Sequence, residues 1–151
     1  MAKALGSGPR DRRFKSDHPD HMNKIKIRAH HLLCIEGFKG LGYSKDFIEN
    51  MKKVILKLKK EKSAIVVKSV DDICSKCPYL CNRKCQNPYG RSIIEMDKNV
   101  IKKLGLKEND KINYSILKRR IYTVFKKKTD LYGICDKCGW KSVCDFYLTR
   151  Q

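Results

Sequence analysis

Eight cysteines in a 151-residue chain are the first feature of this sequence that could do chemistry. Cys74-Ser75-Lys76-Cys77 and Cys135-Asp136-Lys137-Cys138 are both Cys-x2-Cys pairs, and each is followed by another cysteine, Cys85 and Cys144. This spacing lets one tight turn aim two sulfurs at the same ion or cluster while backbone N–H groups face the thiolates. An isoleucine precedes each pair (Ile73, Ile134), so the two triplets read as pseudo-repeats. Cys34 and Cys81 stand outside the triplets.

Such a density of cysteines could also be a disulfide framework, but that fits a secreted chain. Here the N-terminus lacks the apolar centre of a secretory signal, and no apolar run approaches the ~20 residues that span a bilayer. The expected location is the cytoplasm, without membrane association, and the expected chemistry is metal binding. Thiolates suit both iron–sulfur clusters and zinc, and ligand softness does not separate the two. The stretch from Cys77 to Cys135 is too long for a compact zinc ribbon and matches neither ferredoxin run. Either each triplet takes a fourth ligand, with Cys34 and Cys81 as donors, or both triplets converge on one site.

His30-His31-Leu32-Leu33-Cys34 is the other segment with reactive side chains. On a helix either imidazole shares a face with the Cys34 sulfur, three or four residues away. Cys34 then has three readings: a metal ligand, a thiol activated by histidine, or a small buried hydrophobe in a helix start capped by a histidine. No Ser–His–Asp pattern, phosphate-cradling glycine loop or His-Glu-x2-His helix accompanies it.

The elements that must position these residues follow from periodicity. Ile25 and Ile27 alternate within a short strand over Asn23 to Arg28, and His30 to Gly37 forms a short helix. Ser44 caps a helix from Lys45 to about Glu61, with Phe47, Met51, Val54, Ile55 and Leu58 as its core stripe. Ala64 to Val70, rich in β-branched residues, is a second strand. Helices are predicted from Ser92 to Leu104, stopped by Gly105, and from about Ser115 to Phe125. A last short helix ends near Leu148. The expected fold class is α+β, a small helix-dominated domain over 23–151 with a short two-stranded β element and cysteine-rich loops. Residues 1–22 show no periodicity and read as an appended leader or linker, the alternative being a native disordered basic arm.

The net charge is +19. Residues 1–22 carry five basic and three acidic side chains, so +17 belongs to the remainder. That charge would attract nucleic acid or an acidic protein, yet its lysines are scattered over helix faces rather than interleaved with aromatics. Nucleic acid is therefore a weak expectation.

Taken in order, Arg28-Ala29-His30-His31-Leu32-Leu33-Cys34, Gly42-Tyr43-Ser44, Asp71-Asp72-Ile73-Cys74-x2-Cys77-Pro78 and Cys135-x2-Cys138-x-Trp140-x3-Cys144 resemble the signature of the domain of unknown function 1284 family. These are small bacterial and archaeal proteins described as iron–sulfur binding, with no established reaction. The resemblance covers Lys24 to Cys144. It implies that Cys34, Cys74, Cys77, Cys85, Cys135, Cys138 and Cys144 form the metal set, with Cys81 extra and Ala29 where a proline is usual. The preferred expectation is a [4Fe–4S] cluster serving electron transfer or redox sensing with a partner protein, shielded by Tyr79, Trp140 and Phe146. The alternatives are a zinc-stabilised basic module and an enzyme with an open cluster site or a reactive Cys34.

Overall fold

The computed structural model describes residues 24–151 except position 89, and omits the side chains of positions 90, 91 and 137. The predicted leader, 1–22, lies outside the described residues. In chain order the elements are β1 (Ile25–Arg28), α1 (His31–Gly37), α2 (Lys45–Glu61), β2 (Ser63–Val67), β3 (Leu80–Cys81), β4 (Lys84–Cys85), α3 (Gly90–Leu104), β5 (Lys111–Asn113), α4 (Tyr114–Val124) and α5 (Asp145–Leu148). Short 3-10 turns cover Cys74–Lys76, Lys128–Leu131, Cys135–Lys137 and Lys141–Val143. The fold is α+β and dominated by helices.

β1 and β2 pair in parallel, Ile25 opposite Ala64 and Arg28 opposite Val67. A parallel pair needs a crossover of a dozen or more residues, and α1 and α2 supply it. The sheet has one strand more than the periodicity predicted. β5 adds antiparallel to β2, with Ile112 opposite Ala64, so β2 is central. Ile112 is its only apolar residue, too little to make an alternation, and the sequence reads there as a polar turn. A separate hairpin, β3–β4, spans the first cysteine loop.

The helices form for local reasons. The Ser44 side chain accepts the Phe47 N–H at 3.1 Å and starts α2. Lys62, at φ 60°, ends it by donating its N–H to Leu58 O. Phe47, Met51, Val54 and Leu58 bury one face of α2 at helical spacing, and α3 contributes Met96, Val100 and Leu104. Asn113 caps α4 by accepting the Ile116 N–H at 3.0 Å. These faces meet the sheet residues Ile25, Ile27, Ala64 and Val66, all buried.

Gly37 fixes how the C-terminal segment docks on α1. A Cβ at that position would overlap Cys144 Sγ and stand 3.1 Å from Phe146 Cβ. Only glycine admits so close an approach, and it brings the last cysteine onto the helix that carries Cys34.

Candidate functional site

Four of the cysteines line one cavity of about 140 Å³: Cys34, Cys135, Cys138 and Cys144. Cys34 comes from α1, Cys135 and Cys138 from a 3-10 turn, and Cys144 from the residue preceding α5. All eight cysteines are free thiols. The Cys34 thiol is held well above its usual pKa, by burial and then by Cys138, Cys135 and Cys144. Burial likewise raises Cys135, with Cys138 and Cys144 adding to it. Cys138 is raised by burial and further by Cys144, while the hydrogen bond from the Trp140 N–H works against both. To hold a cation these thiols must lose their protons, and the cation then cancels the repulsion among the thiolates.

The cavity adds a size criterion. One water needs about 10–15 Å³, and a single metal ion needs a similar space. The whole cavity is roughly ten times larger, a space that the four thiols share with apolar and aromatic side chains such as Leu41, Tyr43 and Phe47. Four thiols with this much room could hold either a single ion or a polynuclear cluster. The Trp140 N–H donates to Cys138 Sγ at 3.3 Å, the kind of hydrogen bond that tunes a cluster's potential.

The first triplet goes elsewhere. Cys74, Cys77 and Cys85 are not among the residues lining the cavity, so the two triplets do not converge on it. The pseudo-repeat does hold in three dimensions: both Cys-x2-Cys pairs close 3-10 turns, with Cys77 N donating to Cys74 O at 2.9 Å and Cys138 N to Cys135 O at 3.0 Å. Burial raises Cys77, the Tyr79 N–H lowers it, and the charge of Cys85 raises it further. Cys74 is pushed up to about 12, by burial and then by the charge of Asp71. Cys81 sits exposed on the hairpin.

Both histidines lean on buried carboxylates, through residues that the sequence analysis left out of the site. The side chain of His30 does not cap α1. Its Nδ1 lies 2.7 Å from Asp97 Oδ1, and its backbone N–H donates to the same oxygen at 3.0 Å. Arg28 Nε donates to Asp97 Oδ2 at 2.6 Å. His31 Nδ1 lies 2.8 Å from Asp71 Oδ2, which also accepts the Arg28 backbone N–H at 2.6 Å. Asp71 Oδ1 accepts the Cys74 N–H at 2.9 Å. One signal for Asp97 was available, a lone carboxylate on the apolar face of α3. Asp71 had another, its position three residues before Cys74, from where it caps the turn.

Burial favours neutral His30, and the neighbouring His31 adds to that. Burial alone would raise Asp97, but the hydrogen bonds and charges of His30 and Arg28 outweigh it and hold the carboxyl low. Asp71 is low for the same reason, through His31 and the Arg28 and Cys74 N–H groups. Both imidazoles line the thiol cavity. Nδ1 of each ring is held on its carboxylate, Asp97 for His30 and Asp71 for His31, which fixes the orientation of both rings.

An aromatic wall joins the two cysteine turns. The Tyr43 ring meets Phe47, Tyr79 and Trp140 edge-on, with centroids 5.4, 5.2 and 5.4 Å away. Tyr79 belongs to the first cysteine loop and Trp140 to the second. Tyr43, Trp140 and the buried Phe146 line the cavity.

A family model described as "Protein of unknown function (DUF1284)" matches residues 42–144. No curated protein and no solved structure matches the chain. Among the described residues, no helix is long and apolar enough to cross a membrane.

Proposed function

The chain belongs to the DUF1284 family, and from that premise we propose that it is a cytoplasmic iron–sulfur protein acting in electron transfer or redox sensing. One observation carries the reading: four thiols from three separate segments line a single cavity that has room for more than one ion. Cys34, Cys135, Cys138 and Cys144 would hold a [4Fe–4S] cluster, one of the cluster types that four thiolates ligate. Such a cluster supplies one-electron redox chemistry.

The chain's own groups would do the rest. The Trp140 N–H on Cys138 withdraws charge from that sulfur. Tyr43, Trp140 and Phe146 line the cavity and would shield a cluster from solvent, and both effects move a cluster's potential. The enzyme reading through a reactive Cys34 draws less support. Its thiol is pushed up by burial and by the other three cysteines, the opposite of an activated nucleophile.

A second reading puts zinc on the quartet and makes the basic surface the functional part. It is favoured by a groove lined by Lys59, Lys62, Lys118 and Arg119 beside Tyr114 and Tyr122, a surface suited to an acidic partner or nucleic acid. Metal and sulfide analysis of protein purified without oxygen separates the two readings. The cluster reading predicts iron with matching acid-labile sulfide and a broad visible absorbance. Zinc without sulfide would overturn it, and the zinc reading then requires binding to nucleic acid that weakens steeply with salt.

A further inference from the structure

Next to the thiol cavity lies a different donor set. A nitrogen of His31, a carboxylate oxygen of Asp71 and the Cys74 sulfur lie within 4.8 Å of one another. We infer that these three side chains form a second, mononuclear site for a zinc-class divalent ion, separate from the thiol quartet and with one coordination position left to water.

The donor set points to the ion. Magnesium and calcium want oxygen ligands throughout, and iron–sulfur clusters are held mainly by thiolates. One nitrogen, one oxygen and one sulfur suit a borderline ion, and three protein ligands with an open fourth position is a known zinc arrangement. Donors bound at ~2.0–2.3 Å in a tetrahedron stand about 3.3–3.8 Å apart. To bind one ion the three atoms therefore shift by at most about 1–1.5 Å relative to one another, within reach of side-chain adjustment.

The surroundings suit a site already assembled. The Asp71 side chain is fully buried and that of His31 is 13% exposed. Asp71 accepts three hydrogen bonds, from the Arg28 and Cys74 backbone N–H groups and from His31. The ion takes the place of the His31 proton in the last of these, so that His31 binds through Nδ1 and Asp71 through Oδ2, which stand 2.8 Å apart without it. The rival reading, a Cys–His–Asp nucleophile, asks for an electropositive, part-exposed thiol, whereas Cys74 is buried against a carboxylate. Binding the ion releases the Cys74 proton. His31 is the shared wall, since it also lines the thiol cavity three residues before Cys34.

The test counts zinc and iron together in the full-length chain, purified without oxygen, given one equivalent of zinc and freed of unbound metal. The inference predicts one zinc per chain in the wild type and in Cys34→Ser. It predicts zinc affinity at least ~10-fold weaker in His31→Gln, with recovery in His31→Cys, which restores a ligand. Far-UV circular dichroism and the iron count establish that His31→Gln is folded; if it is not, recovery of both fold and zinc in His31→Cys decides. A wild type without zinc, zinc unchanged in His31→Gln, or zinc lost in Cys34→Ser would each overturn the site. The inference does not rest on the cluster reading: zinc that depends on His31 in a protein without iron or sulfide would leave this site standing and defeat only that reading.

Discussion

Asp97 shows how much a single side chain does here. It is 1% exposed and neutralises Arg28 while holding His30 by ring and backbone. Asp97→Asn leaves a buried guanidinium without its partner, a loss of about 3–5 kcal/mol measurable by urea unfolding. The pH dependence has a definite sign. A carboxyl held low in the folded state stabilises fully above its unfolded pKa of about 3.9, and that stability is lost as pH falls through the lower folded value. Asp97→Asn should lack this acid-side loss, which the same titration measures. Gly37→Ala should lower cluster retention and cost about 1–3 kcal/mol, since its methyl occupies the space of Cys144 Sγ; iron content after gel filtration checks this. The two Cys-x2-Cys turns were legible from spacing alone, because a 3-10 turn is local. The company Cys34 keeps was not, because its partners lie a hundred residues away and only the docking of α5 on α1 brings them near.

At the scale of elements, the helices were the legible part. α2 begins and ends where its capping serine and apolar stripe said it would, over Lys45–Glu61. Ser44→Ala should cost about 1 kcal/mol without altering metal content. A larger loss, about 2–5 kcal/mol, is expected for Leu58→Ala, whose side chain is fully buried; both follow from thermal or urea unfolding. β5 could not be read because three residues with one apolar side chain carry no period. Its existence depends on the free edge of β2, a property of the assembled sheet. α3 begins at Gly90 rather than the predicted Ser92, an ordinary difference at a helix end.

Over the whole molecule, topology sorts the cysteines. The parallel pairing of β1 and β2 sets Arg28 at the end of the sheet, where its backbone N–H reaches Asp71 and its side chain reaches Asp97. α1 then carries His31 toward the first cysteine turn and Cys34 toward the second. The C-terminal segment beyond α4 has only short turns and the four-residue α5, so metal on the quartet should supply much of its order. Hydrogen exchange at 135–144 should slow on metal loading, with little change in α2.

The claim at the centre is that Cys34 and the C-terminal triplet hold a cluster that the first triplet does not. It is tested most directly by iron and acid-labile sulfide counted in anaerobically purified wild type, Cys34→Ser and Cys85→Ser. The account predicts iron and sulfide in the equal amounts that a [4Fe–4S] cluster carries, lost in Cys34→Ser and kept in Cys85→Ser. Iron absent from the wild type, or kept in Cys34→Ser and lost in Cys85→Ser, would contradict it.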